Sequence, residues 1–192
     1  MRIANEKNRG YYKIEGAIRA FDFDFRDKVV LDIGSSTGGF TEIALEHGAK
    51  KVIAVEKGTN QMKIPLRYDS RIELHEKTDV FDFCLVENQK PDVIVADVSF
   101  VSLTKILSYS KMHLSHNDTS FLVMLKPQFE ARACQLNKGV VKNERVRREI
   151  IKDFEVWLKN NDFVVVNKRD NDVAGKNGNL ERFYYLKIAL KK

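Results

Sequence analysis

The stretch Leu31-Asp-Ile-Gly-Ser-Ser-Thr-Gly-Gly-Phe40 constrains this chain more than any other. Lys28-Val-Val-Leu-Asp-Ile-Gly34 leads into it with almost no polar residue before Asp32. A continuous apolar run of that length reads as a strand buried on both faces, which belongs in a parallel sheet covered by helices. The strand empties into glycines, which accept positive φ and let other backbone approach closely. A helix follows from Phe40 to His47, with Gly48 as its stop. The unit is strand, glycine loop, helix.

The rest of the chain repeats that alternation. Lys13–Phe21 places Ile14, Ala17, Ile18 and Phe21 on one helical face. Strands are expected at Lys51–Glu56, at Ile72–His75 more weakly, at Asp92–Asp97 and at Ser120–Leu125. Gln61–Tyr68 predicts a short helix interrupted near Pro65, and Val101–His113 and Asn143–Asn160 predict longer ones. Val164–Asn167 and Arg182–Ala189 close the chain as two strands with little but a loop between them. The pattern predicts an α/β Rossmann-like fold, with a mostly parallel seven-stranded sheet, helices on both faces and an antiparallel edge pair. With 192 residues and no linker or repeat, one domain is expected over 1–192. Residues 1–12 are read as a loose basic entry, and Lys191-Lys192 as a solvated tail.

A glycine turn at a helix N-terminus can cradle a pyrophosphate or the amino-acid end of S-adenosylmethionine (SAM). The dinucleotide fingerprint is G-x-G-x-x-G. The spacing here, Gly34-x-x-x-Gly38-Gly39, does not match it. Asp32, just before the first glycine, favours SAM, whose ammonium and sulfonium centres are cationic. Glu56 ends the second strand, where a carboxylate can accept both ribose hydroxyls. Asp79, after the third strand, is placed to receive an adenine amino group. The candidate cofactor residues are Asp32, Gly34, Ser35, Ser36, Thr37, Gly38, Gly39, Phe40, Glu56, Lys57, Asp79 and Asp97. No ligand spacing for a metal is evident.

Ligands in open α/β sheets bind outside the carboxyl ends of the strands. Two strands deliver charge to that edge: one ends in Asp97, the next in Lys126. A lysine at the end of an apolar strand needs a partner, because an unpaired buried ammonium is expensive. Asp97, on the neighbouring strand, is the candidate; a purely structural ion pair is the alternative.

Five segments recur in one order: LDIGSSTGGF, Ala96–Leu103 (ADVSFVSL), Leu125–Ala131 (LKPQFEA), Lys138–Val141 (KGVV) and Gly178–Phe183 (GNLERF). Together they resemble the TlyA/hemolysin A family of ribosomal RNA 2′-O-methyltransferases, which share the FtsJ-like fold. The resemblance runs from about Arg9 onward. It implies SAM as cofactor, ribosomal RNA or ribosomal subunits as partner, a cytidine ribose as target and a cytoplasmic location. It also implies a catalytic Lys-Asp-Lys-Glu set, which by motif position is Lys13, Asp97, Lys126 and Glu181. Lys126 would then stabilise the alkoxide forming on a ribose 2′-hydroxyl. Asp97 and Glu181 would hold the lysines charged and oriented, and Lys13 would orient the hydroxyl or its neighbouring phosphate.

The family usually carries an RNA-binding S4 domain ahead of this one; Met1 stands only a few residues before the first motif, so none is expected. Gly10 is followed by Tyr11 where the family has a second glycine, Glu56 leads into Lys-Gly-Thr-Asn60 rather than acid-Val-Gly-Tyr-Gly, and KGVV lacks one of its paired glycines. For RNA contact the sequence offers Lys142, Arg145, Arg147, Arg148 and Lys152 on and near one helix. Lys7, Arg9, Lys13 and Arg19 lie near the N-terminus, with Tyr11 and Tyr12 to stack on a base. The net charge of +6 suits such a partner. The family's older name implies a cytolytic or membrane-active alternative, but no apolar run of about 18 residues exists to span a bilayer. A non-catalytic SAM or RNA binder and a small-molecule methyltransferase are further alternatives. Cys84 and Cys134 stand apart with no metal-type partner and read as reduced cytosolic thiols.

Overall fold

The computed structural model describes residues 7–189. The expectations for residues 1–6 and for Lys191-Lys192 lie outside the described residues. The elements in chain order are α1 (Arg9–Phe21), β1 (Val29–Ile33), α2 (Gly39–Glu46), β2 (Lys51–Glu56), α3 (Ile64–Arg67), β3 (Ile72–Glu76), β4 (Val93–Ala96), α4 (Leu103–Tyr109), β5 (Ser120–Leu125), α5 (a single turn, Pro127–Glu130), α6 (Glu144–Asn160), β6 (Phe163–Asp170) and β7 (Arg182–Ile188).

The seven strands form one sheet in the order β3-β2-β1-β4-β5-β7-β6. Pairings from β3 through β5 are parallel, and β7 runs antiparallel between β5 and β6. Strand order reverses direction at β1 and β4, so a crevice opens beyond their carboxyl ends.

Successive strand residues face opposite sides, and each side is covered. Leu31, Ile33, Ile94 and Phe121 pack beneath Leu103, Ile106 and Leu107 of α4 and Ile151, Phe154 and Leu158 of α6. Val30, Val95 and Leu122 pack beneath Ile14 and Ile18 of α1 and Phe40 and Ile43 of α2. That double cover is why β1 reads as one apolar run.

Several boundaries move. The segment 9–12 is not loose: Asn8 caps α1, its side chain accepting from the Tyr11 amide at 3.0 Å, so the helix begins four residues before Lys13. Pro65 does not interrupt α3 but sits in its first turn, where a missing N–H costs nothing. The helix expected over Val101–His113 starts at Leu103 and widens into a π turn at Ser110–Leu114. β6 extends to Asp170 across a bulge between Val165 and Asn167. Among the described residues, no helix is long and apolar enough to cross a membrane.

Candidate active site

A cleft of about 960 Å³ lies at the strand ends where the order reverses. Its floor is the glycine loop. Gly34 (φ 78°) and Ser36 (φ 48°) turn the chain, and Gly38 (φ 89°) starts α2. The Gly34 amide donates to the Val55 carbonyl at 2.9 Å, and the Ser36 amide to Glu56 Oε2 at 2.8 Å. Gly39 is forced by close approach: a Cβ there would overlap Asn8 Oδ1 and lie 2.7 Å from the Tyr11 nitrogen. α1 therefore seats directly on the loop and brings Lys13 to the cleft.

The four charged residues meet. Lys126 Nζ lies 2.6 Å from Asp97 Oδ1 and donates to Ser99 Oγ at 2.9 Å. Lys13 Nζ lies 2.7 Å from Glu181 Oε2 and 3.6 Å from Asp97 Oδ2. Asp97 thus joins the two ammonium groups, and Glu181 backs Lys13 from the start of β7. Lys13, Lys126 and Glu181 are buried, a placement that needs this compensation. Lys13, Asp97 and Lys126 line the cleft, and Glu181 sits behind them.

The cofactor candidates divide. Gly34, Ser35, Ser36, Thr37, Gly39, Phe40, Glu56, Lys57, Asp79 and Asp97 line the cleft; Asp32 and Gly38 do not. Glu56 also accepts from the Gly58 amide at 2.6 Å, so its carboxylate already braces two loop amides. Asp79 accepts from Lys57 Nζ at 2.9 Å and from the Phe81 amide at 3.2 Å. The Lys57 ammonium, then the amide, hold its carboxyl below the usual range. Ser35 Oγ and Asn8 Nδ2 are buried without a protein partner beside the loop, while Val80 and Phe81 supply an apolar wall. This donor set suits a nucleoside carrying a polar amino-acid tail.

Asp32 lies beneath the loop rather than in it. The Thr41 hydroxyl donates to its Oδ2 at 2.6 Å, and Oδ1 has no protein partner. Burial pushes its carboxyl up to about 7 against the pull of Thr41, with the charge of Asp97 adding to the rise. The folded value exceeds the unfolded one, so between about pH 4 and 7 the native state holds a proton the unfolded chain has lost. Stability from this group is greatest below that window and falls as pH rises through it, by at most ~1.4 kcal/mol per pH unit. Asp32→Asn is expected to flatten the dependence, so that urea midpoints of variant and parent diverge from pH 5 to pH 8; parallel midpoints would remove Asp32 as the cause.

Some expected RNA contacts are turned inward. Tyr11 is buried and its hydroxyl donates to Glu46 at 2.6 Å, so it cannot stack on a base. Lys7 pairs with Glu42 at 2.8 Å and lies over the Tyr11 ring. Arg147 is buried against Asp170 at 2.5 Å and Leu180 O at 3.3 Å, tying α6 to the last hairpin. Helical spacing explains both: Tyr11 shares a face with Ile14 and Ile18, and Arg147 with Ile150, Ile151 and Phe154. Residues that local patterns did not single out are Ser99, which accepts from Lys126, and Phe100, a 91% exposed ring with φ 65° beside Asp97.

The fold and the cleft define a SAM-dependent methyltransferase. A profile of the FtsJ-like methyltransferase family matches residues 7–188, and the chain belongs to that family. It is 36% identical over 177 residues to hemolysin A of Brachyspira hyodysenteriae, covering 91% of this chain and 73% of that one. It is 35% identical over 180 residues to the 23S rRNA (cytidine-2′-O)-methyltransferase TlyA of Campylobacter jejuni, covering 93% and 69%. A solved structure from Streptococcus thermophilus that carries a hemolysin name superposes with a TM-score of 0.90 at 30% identity, covering 98% of this chain and 68% of that one.

Proposed function

We propose that this chain transfers the methyl group of SAM to a ribose 2′-hydroxyl of ribosomal RNA, a cytidine by analogy with the Campylobacter relative, and acts in the cytoplasm where ribosomes are made. The observation that carries the reading is the paired set, Lys126 on Asp97 and Lys13 on Glu181, set at the cleft beside the glycine loop. Bound SAM supplies an electrophilic methyl group; the protein's task is to make a weak nucleophile attack it. Glu56 would take the cofactor ribose, Asp79 with Lys57 would border its base, and the loop with Ser35 and Asn8 would take its amino-acid end. Lys126 would stabilise negative charge growing on the 2′-oxygen, and Asp97 would hold that ammonium in place. Lys13, fixed by Glu181, would orient the hydroxyl or its phosphate. The hydroxyl proton leaves to solvent at the open mouth.

The RNA side has its own support. Phe100 offers an exposed ring at the rim for a base turned toward the site. From Ala131 to Asn143 the chain carries Arg132, Lys138 and Lys142, all exposed, and no carboxylate. This stretch follows directly from the Lys126 segment and is tied to the β6–β7 loop by Asn179, which donates to the Gly139 carbonyl at 3.1 Å. An acid-free basic stretch that follows Lys126 in sequence suits a phosphate backbone.

The test is tritiated methyl transfer from SAM to ribosomal subunits of a strain lacking the corresponding methylation, followed by mapping of the labelled ribose. Label at a 2′-oxygen of rRNA is expected, weakening with added salt. Label on base atoms or on protein, or none on either subunit, would overturn the reading. The hemolysin names of relatives make one control useful: dye-loaded liposomes should stay intact with the purified protein.

A further inference from the structure

We infer that Glu130 is a positioning residue that clamps the loop carrying the acceptor side of the site; the inference rests on the function proposed above. The loop leaving β4 runs from Asp97 to Ser102 and carries the Lys126 partners Asp97 and Ser99 and the exposed Phe100. Its first end is fixed by the sheet. Its second end is held from outside: the Ser102 hydroxyl donates to Glu130 Oε2 at 2.6 Å, and the Leu103 amide to Oε1 at 2.7 Å. A carboxylate from α5 thus joins Ser102 in capping the N-terminus of α4: Glu130 takes the Leu103 amide and Ser102 Oγ the Thr104 amide, at the positive end of the helix.

The segment Lys126–Glu130 grips that loop along its length. Lys126 holds Asp97 and Ser99, the Phe129 ring lies 5.0 Å from the Phe100 ring, and Glu130 holds Ser102 and Leu103. Between the fixed ends, Phe100 adopts a left-handed backbone (φ 65°), a conformation a bulky residue leaves unless its surroundings impose it. Removing Glu130 frees the far end. Phe100 can then relax to negative φ, carrying its ring and the Ser99 hydroxyl away from the acceptor position. Asp97 and Val98, which pack on Gly34, form the end of this loop next to the sheet, while Glu130 holds the opposite end, so the change falls on the acceptor half of the cleft rather than the cofactor half.

The test compares Glu130→Ala, Glu130→Gln and Thr119→Ala. The buried Thr119 hydroxyl donates to the Pro91 carbonyl at 2.8 Å and accepts from the His116 amide at 3.0 Å just before β5, at the opposite end of the sheet from the cleft, so its loss matches the removal of a buried polar tie away from the site. Glu130→Ala is expected to lower kcat on ribosomal subunits about tenfold, with affinity for S-adenosylhomocysteine unchanged. Glu130→Gln keeps an acceptor for the Leu103 amide and is expected to restore most of the rate. Thr119→Ala, measured well below its Tm, should keep it. Hydrogen exchange provides a second readout that needs no turnover: residues 98–103 should exchange faster in Glu130→Ala, and as the parent does in Glu130→Gln. Unchanged exchange there, or an equal rate loss in Thr119→Ala, would overturn the inference. If the parent methylates no RNA, the proposed function fails, while exchange at 98–103 still decides whether Glu130 is the clamp.

Discussion

Lys126→Ala is expected to lower methyl transfer at least about 10²–10³-fold, the range seen when one preorganised donor to a developing oxyanion is removed. Binding of SAM should change little, because the loop, Glu56 and Asp79 reach the cofactor independently of Lys126. The loss should therefore appear in kcat and kcat/KM together, the mark of an interaction made in the transition state. Asp97 would keep Lys13 at 3.6 Å and a partly exposed carboxylate, so the fold should survive. Lys126→Arg keeps the charge on a wider, planar group and should recover only part of the rate. Single-turnover methyl transfer with saturating SAM measures it; parent-like activity in Lys126→Ala would end the catalytic assignment.

Gly39→Ala is expected to damage both fold and activity. The added methyl would overlap Asn8 Oδ1 and lie 2.7 Å from the Tyr11 nitrogen and 2.9 Å from the Gly10 carbonyl carbon, and backbone cannot swing aside as a side chain can. Overpacking of this kind costs about 1–3 kcal/mol. It acts on the contact that delivers Lys13, so activity should fall more than the loss of folded protein explains. Urea unfolding gives the first quantity and transfer rate per bound S-adenosylhomocysteine gives the second. A stable, fully active Gly39→Ala protein would show that α1 can shift without consequence.

The sheet was legible because its strands obey one physical rule: a central strand covered on both faces is apolar along its interior, as β4 is throughout, β2 between Lys51 and Glu56, β5 after Ser120, and β1 but for Asp32. The Lys126–Asp97 pair was legible for a related reason, since a lysine ending such a strand must find an anion. Lys13 and Glu181 were legible only through family resemblance. Each looks ordinary locally, and their contact joins the first helix to the last strand. Tyr11 and Arg147 were misread as surface groups because their polar ends hid a helical period that turns them inward. Glu130 and Phe100 lay within two of the recurring segments, but nothing local told their roles: a cap supplied from another element, and a left-handed backbone held by neighbours, exist only after the chain has closed.

The seating of α1 on the glycine loop, with Glu181 behind Lys13, sets an order of events for a chain being synthesised. The cofactor candidates reach no further along the chain than Asp97, though Phe40 among them packs on Phe183 of β7. The ammonium pair needs the end of the chain as well. Lys13 emerges first but waits for Glu181, which arrives with the final strand, and bringing such distant partners together is the slow part of folding. β7 thus serves both sides of the cleft: Phe183 backs the ring of Phe40 beside the glycine loop, and Glu181, one residue ahead of the strand, meets Lys13. On the function proposed above, a chain cut short before β7 is expected to lose cofactor affinity and methyl transfer together.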